Sequence, residues 1–112
     1  MLSVPISTGA AAGGCLASAL VRGIYEVIER DAFMISYLNK LENDKVDLEK
    51  IPDARITTLL SILNRYRIEG HIMDITSDLG VPTFVTILVD RTGIGPAIHC
   101  GLKTSFLIMN CF

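Results

Sequence analysis

Residues 83–89, with the sequence TFVTILV, restrict the fold more than any other stretch of this chain. The segment is rich in β-branched residues and apolar on both faces, which predicts a buried β-strand. The turn-forming sequences SDLGVP and DRTGIGP flank it, and the segments HIMDIT and AIHCGL lie beyond those turns. Because short turns join neighbouring strands into antiparallel hairpins, the three segments predict a mainly antiparallel sheet.

Two helical patterns precede these strands. The first runs from about Leu16 to Leu41, and the charged connector ENDKVDLEKIPD follows it. The second begins after Asp53, a suitable N-cap residue, and we expect Gly70 to stop it. Its apolar residues recur at the spacing of an amphipathic helix: Ile56, Leu59, Leu60 and Leu63.

The N-terminal sequence SVPIST is expected to be a short extended segment, which completes the order of elements. That order is β-α-α-β-β-β. It predicts an α+β fold in which the helices pack on one side of a mainly antiparallel sheet.

Composition excludes several classes of protein. The chain has 112 residues, enough for one small domain, and its net charge of −2 gives no support for a nucleic-acid-binding surface. We find no run apolar enough to span a membrane, and no signal peptide is expected. The cysteines are odd in number and widely separated, so we expect reduced thiols in a cytoplasmic protein: Cys15, Cys100 and Cys111.

Four charged residues interrupt the apolar sequence of the first helix: Arg22, Glu26, Glu29 and Arg30. Since an α-helix turns by about 100° per residue, they fall within roughly one quarter of its circumference. Apolar residues cover most of the remaining surface. We therefore expect a helix that is embedded on most sides, with its acids facing a cleft.

Two interpretations of this charged stripe remain open. The residues have the i, i+4 spacing of structural ion pairs, Arg22 with Glu26 and Glu26 with Arg30. Alternatively, two carboxylates one turn apart can share Mg²⁺, whose coordination is often completed by phosphate oxygens. An adjacent arginine can hold a phosphate through its planar fork, so the stripe also suits a Mg-nucleotide.

The preceding small-residue loop offers a rival phosphate site. Gly9 and Gly14 have the glycine spacing of a P-loop, but Cys15 and Leu16 stand where Lys and Ser or Thr are required. We therefore expect the loop to pack tightly where the first helix begins.

Two longer stretches resemble the YcaO-like family. The first is STGAAAGG followed by ASALVRGIYEVIERDAFMISYLNKL, and the second is DITSDLGVPTFVTILVD. They occur in the family's order, and the resemblance covers about residues 3–105. The variant ERDAFMISYLNKL is most similar to members from bacteriocin and azoline-peptide gene clusters.

The resemblance implies an ATP-dependent peptide cyclodehydratase that uses Mg²⁺. In such proteins a Cys, Ser or Thr side chain attacks a backbone amide carbon, the amide oxygen is phosphorylated, and loss of phosphate gives a thiazoline or oxazoline. Other members make thioamides from an external sulfide. The implied partners are a precursor peptide and a second biosynthetic protein.

The resemblance also assigns site residues. Glu26 and Glu29 match the family's first pair of Mg-binding glutamates. Arg30 matches the arginine that follows them, which contacts phosphate or orients the pair. No catalytic residue is assigned.

The sequence also departs from the family pattern. Arg22 and Gly23 stand where some members have a serine. After GLKTS the family begins a second acidic helix, whereas this chain continues as FLIMNCF, without an acid. We expect a partial YcaO-like domain over residues 1–106, a divergent apolar tail over residues 107–112, and no catalysis from this chain alone.

Three functional hypotheses follow. The chain is part of a cyclodehydratase, a truncated YcaO-like scaffold or docking module, or a small α+β protein of unrelated function. Because apolar surface should remain uncovered, a homo-oligomer is expected. His99 is expected to be structural or exposed, and Asp74 and Asp78 are expected to serve as turn or capping residues.

Overall fold

A computed structural model describes residues 7–106 of the chain. Its helices are α1 (Leu16–Leu38), α2 (Ala54–Arg65) and a 3₁₀ turn in the connector (Leu48–Lys50), and its strands are β1 (Ile68–Asp74), β2 (Thr83–Asp90) and β3 (Ile98–Thr104). The α+β class is confirmed. Residues 3–6 of the expected first strand lie outside the described residues, and Ser7 and Thr8 are not in a strand. The described order is therefore α-α-β-β-β.

The strands form one antiparallel sheet in the order β1-β2-β3. Val85 of β2 pairs with Met73 on one side and with Leu102 on the other. In the first turn the N–H of Gly80 donates to the carbonyl of Ser77 at 3.0 Å, and Gly80 has φ 68°. A glycine adopts this left-handed conformation without the steric cost of a side chain. Both predicted hairpins are confirmed.

Helix α1 covers one face of the sheet. The buried residues Ala32, Ile75 and Val85 form the centre of the core. Four partly buried side chains pack around them: Phe33, Met73, Ile87 and Leu102. In the paired strands these residues all project from the same side, because side chains alternate between faces along a strand. This packing places the sheet-facing side of α1 over the ends of β2 and β3.

Helix α2 lies on the opposite face, so the expectation that both helices share one side is wrong. A Cβ atom on Gly70 would lie 3.1 Å from Cδ1 of Leu63 and 3.5 Å from Cδ2 of Leu88. Gly70 pairs with Leu88, one residue out of phase with the core residues Val85 and Ile87. Sequence periodicity shows which residues of a helix are apolar but not which face of a sheet they cover.

The end of α2 also differs from the expectation. The helix begins after Asp53 as predicted, and the Asp53 carboxylate accepts a hydrogen bond from the N–H of Arg55 at 2.8 Å. It ends at Arg65, and Arg67 has φ 56°. Gly70 does not stop the helix but lies inside β1, where its lack of a side chain leaves room for Leu63.

The expectation that α1 is embedded on most sides is wrong for the described residues. Leu20 and Ile24 are each 57% exposed, and four further exposed apolar residues lie on the same side of the helix: Leu16, Val27, Met34 and Leu38. Within residues 7–106, we find no helix that is both long and apolar enough to cross a membrane.

Candidate functional site

The charged stripe of α1 lies between the sheet and the glycine loop. Nε of Arg30 donates to Oε1 of Glu26 at 3.1 Å, so one of the two expected i, i+4 ion pairs is present. Arg22 does not form the other pair. Its Nη1 atom donates instead to the carbonyl of Ala12 at 3.1 Å, because the loop carbonyl lies within reach of the guanidinium.

Glu29 faces the C-terminal end of β3. Burial raises the pKa of its carboxyl group above the usual value of 4.5, and the nearby Glu26 carboxylate adds to that increase. A hydrogen bond from the backbone of Thr104 and the charges of Lys103 and Arg30 act in the opposite direction. Glu29 is therefore a partly desolvated carboxylate whose ionised form is only in part stabilised by Thr104, Lys103 and Arg30.

The glycine loop packs against α1, as expected from its small residues. The N–H of Gly9 donates to Oε2 of Glu26. Gly9 has φ 84°, and its carbonyl oxygen lies only 2.8 Å from the position that a Cβ atom on Gly23 would occupy. The missing side chains of both glycines allow this close approach of loop and helix.

Two threonines support the strand ends beside Glu29. Thr83 is fully buried, and its hydroxyl lies 3.0 Å from the hydroxyl of Thr104 and 3.0 Å from the carbonyl of Val81. A buried hydroxyl pair is stable only when its hydrogen bonds are made, so this contact fixes where β2 and β3 meet beneath α1.

An open cleft of about 700 Å³ lies beside this site. Its lining includes the cationic residues Arg22 and Lys103 and four hydroxyl-bearing residues: Ser18, Tyr25, Thr104 and Ser105. Glu26 and Glu29 do not line this cleft. The Glu26 side chain is 26% exposed. The acids are thus half-buried beside a cleft rather than pointing into its centre.

The donor set agrees with Mg²⁺ but supplies only part of its coordination. Two carboxylates on successive turns offer the oxygen ligands that this hard cation prefers. Across residues 7–106, however, we find no group of three or more His, Cys, Asp or Glu side chains that could hold a metal. The two glutamates would therefore need further ligands from phosphate, water or other protein groups.

The remaining sequence candidates have structural or surface roles. Asp74 accepts hydrogen bonds from the N–H and hydroxyl of Thr76, which confirms its role in the turn. Asp78 lies exposed in the same turn, and His99 is exposed on β3. Cys15 and Cys100 are free and exposed, whereas Cys111 lies outside the described residues.

Sequence reasoning did not single out Gly9, Lys103 or Thr104 as neighbours of the glutamates. Lys103 and Thr104 come directly after the predicted strand AIHCGL. A strand's position in the chain does not reveal which helix residue its end will meet. The unusual density of glycines in the loop was the one available signal for Gly9.

The fold is that of heterocyclases. A heterocyclase solved in complex with substrate and cofactor is 26% identical and superposes with a TM-score of 0.89 over 97% of this chain and 15% of that chain. The heterocyclase TruD is 28% identical, with a TM-score of 0.79 over 89% of this chain and 14% of that chain. A microcin synthetase McbBCD complex from E. coli, at 20% identity and a TM-score of 0.74, shares the fold over 89% of this chain and 26% of that chain.

Residues 2–108 match the family of YcaO cyclodehydratases, described as ATP- and Mg²⁺-binding. The chain therefore belongs to the YcaO family, which excludes the hypothesis of an unrelated α+β protein. The resemblance inferred from the two sequence motifs is confirmed.

Curated relatives give a similar result at the level of sequence. An uncharacterized protein from the tfuA 3′ region of Rhizobium leguminosarum bv. trifolii is 28% identical over 86 residues, which is 74% of this chain and 20% of the relative. An uncharacterized protein of Methanothermobacter thermautotrophicus is 29% identical over 92 residues, 82% of this chain and 24% of the relative. The chain thus spans about a fifth to a quarter of their length.

Proposed function

We propose that this chain supplies the first pair of Mg-binding glutamates to an ATP-dependent peptide cyclodehydratase. The observation that carries the proposal is the position of Glu26 and Glu29. In a chain of the YcaO family, both lie half-buried on α1, with Arg30 bonded to the first and the end of β3 facing the second.

The chemistry of these residues suits a nucleotide. Two carboxylates can hold Mg²⁺, which would neutralise charge on the phosphates during transfer to an amide oxygen. The Arg30 side chain is 57% exposed, so the guanidinium nitrogens that do not bind Glu26 can reach a phosphate. The product of the whole protein would be a thiazoline or oxazoline in a ribosomally made peptide.

The proposed partners follow from the same assignment. A precursor peptide would be the substrate, and a second biosynthetic protein would present it. The solved heterocyclase with substrate and cofactor supports a peptide-modifying role. We also propose Mg²⁺ and ATP as the cofactors, in agreement with the family description.

Titration of residues 1–112 with Mg·ATP tests the site. The NMR chemical shifts of the α1 amides report the binding. We expect a Kd of about 1 mM or weaker, near −4 kcal/mol, because two carboxylates and one arginine offer few contacts. Glu29→Gln should weaken binding about tenfold or more, because a hydrogen bond or ion contact to a charged group contributes about 1.5–3 kcal/mol.

The matched control is Glu42→Gln, the same chemical change at an exposed residue after α1. It should leave the titration unchanged. Equal Mg·ATP binding by the wild type and Glu29→Gln would reject Glu29 as a ligand. Loss of binding in both Gln variants would show that only net charge matters.

A non-catalytic YcaO-like scaffold is the second candidate. The observation in its favour is that the part of the chain described here contains no cluster of three metal-binding side chains. On this hypothesis Mg·ATP would not shift the α1 amides at any concentration up to about 10 mM. That concentration is about ten times the Kd of about 1 mM expected of a working half-site. The same titration therefore separates the two candidates.

A further inference from the structure

The carboxylate of Glu26 is held from two sides. Oε2 accepts the N–H of Gly9, and Oε1 accepts Nε of Arg30 at 3.1 Å. One donor comes from the loop before α1 and the other from the next turn of the helix. A glutamate side chain held in this way has lost most of the rotational freedom that it would otherwise lose on binding a cation.

The Gly9 donor is itself held in place by α1. The carbonyl oxygen of Gly9 fills the space that a side chain on Gly23 would occupy, at 2.8 Å from the ideal Cβ position. A Cβ atom on Gly9 would lie 3.1 Å from Cγ2 of Val27, and Gly9 has a left-handed φ. Arg22 attaches the same loop a second time, through the carbonyl of Ala12.

We propose that Gly9 and Gly23 are positioning residues for the metal site. Gly23 lets the loop approach α1, and the loop places the Gly9 N–H where it orients the Glu26 carboxylate toward Mg²⁺. This inference rests on the proposed function, since it assumes that Glu26 is a cation ligand. It assigns the glycine loop a role in orienting a ligand rather than in cradling phosphate.

Groups that hydrogen-bond to a metal ligand fix its orientation, and their loss commonly lowers metal affinity 10–100-fold. Gly23 touches no cation in this arrangement. Any effect of its substitution on metal binding must pass through the loop and Glu26. That indirect route distinguishes a positioning residue from a ligand.

The test compares two Gly→Ala substitutions in the full chain. In Gly23→Ala the new methyl group collides with the Gly9 carbonyl, whereas a Cβ atom on Gly14 meets no atom within 4 Å. We expect Gly23→Ala to bind Mg·ATP about tenfold more weakly and Gly14→Ala to bind within about twofold of the wild type. Without ATP or Mg²⁺, amide hydrogen exchange at Gly9 should accelerate at least about tenfold in Gly23→Ala alone.

Arg22→Ala is a second variant that adds no atoms and removes the exposed attachment of the loop to α1. It should raise both the exchange rate at Gly9 and the Kd for Mg·ATP by about threefold, a smaller effect because the Gly9 contact itself remains. It keeps the proposal testable if Gly23→Ala does not fold.

The outcomes separate the two proposals. Wild-type affinity in Gly23→Ala and in Arg22→Ala would overturn the positioning role while the metal site stands. Rapid exchange of the Gly9 amide in the wild type would overturn it as well. If Mg·ATP shifts no α1 amide of the wild type, the metal site and the positioning role both fail.

Discussion

Glu29 is placed where its charge opposes stability, and the proposed metal site would account for that placement. Its carboxylate lies where burial disfavours charge, and the raised pKa records that cost. The backbone of Thr104 and the ammonium group of Lys103 offset it only in part. A bound cation would remove the remaining penalty, which is the property expected of a ligand rather than of a structural ion pair.

We predict that Glu29→Gln unfolds at a higher urea concentration than the wild type at pH 7. The folded pKa lies above the unfolded value of 4.5, so the folded state binds the proton more tightly. Wild-type stability should therefore rise as the pH falls from neutral through the folded pKa, and the gain should be complete below about 4.5. Because much of the carboxylate remains solvated, the difference at pH 7 should be well below about 1 kcal/mol.

Urea unfolding at pH 7 and pH 4 measures this difference, with Glu42→Gln as the control for a lost surface charge. The two curves for Glu29→Gln and the wild type should converge at pH 4. A lower stability of Glu29→Gln at pH 7 would mean that its contacts with β3 outweigh the desolvation of the carboxylate.

At the scale of elements, the start of α2 is the best-defined helix end. The Asp53 carboxylate accepts the N–H of Arg55 and also binds its guanidinium, with Nη2 at 2.7 Å from Oδ2. These bonds, first that to the guanidinium and then that to the backbone, lower the pKa of Asp53 to about 2. One side chain therefore both caps the helix and pairs with its first turn.

We predict that thermal stability at pH 7 decreases from the wild type to Asp53→Asn to Asp53→Ala. Asparagine retains the capping acceptor but loses the charge, whereas alanine loses both. Since the folded pKa is below the unfolded value of 3.8, the contribution of the charge is present above pH 3.8 and is lost as the pH falls through about 2. The wild type and Asp53→Asn should therefore become more alike between pH 5 and pH 3.

Differential scanning calorimetry at these pH values provides the measurement. Asp78→Ala, at an exposed position in the β1–β2 turn, is the control and should change the melting temperature little. An Asp53→Ala variant as stable as the wild type would show that packing alone starts α2.

At the scale of the whole molecule, α1 has three different surroundings. One side packs on the sheet through Ala32, a second contacts the glycine loop through Gly23, and a third carries exposed apolar side chains. This third side also lines an open apolar groove of about 430 Å³ between Leu16 and Ile28. An exposed apolar stripe of this kind is typical of association surfaces.

We predict that the chain self-associates through this stripe, with α1 of a second copy as the partner. The stripe runs the length of a 23-residue helix, so two such helices could cover each other's apolar side chains. Leu20→Glu should produce a monomer, because it places a charge at the centre of the contact. Light scattering at about 100 μM, a concentration at which weak dimers with micromolar Kd are populated, provides the measurement.

Leu79→Glu is the matched control, since Leu79 in the β1–β2 turn is 59% exposed and Leu20 is 57% exposed. It should leave the mass unchanged. A monomeric wild type would contradict the prediction.

Local patterns in the sequence determined the elements of this protein. The β-branched run of β2, the turn residues beside it and the capping Asp53 each act over a few neighbouring residues, so their consequences could be predicted. The spacing of Glu26, Glu29 and Arg30 likewise predicted that they share one side of a helix, because helical geometry is the same in every protein.

Only the tertiary structure decided what those elements meet. Periodicity did not reveal that α2 crosses to the other face of the sheet, because a two-sided apolar strand accepts a helix on either face. Nor did it reveal that Gly9 donates to Glu26 or that Glu29 faces Thr104. Those contacts join residues far apart in the chain, and they depend on how the helix, loop and strand ends pack together rather than on any local preference.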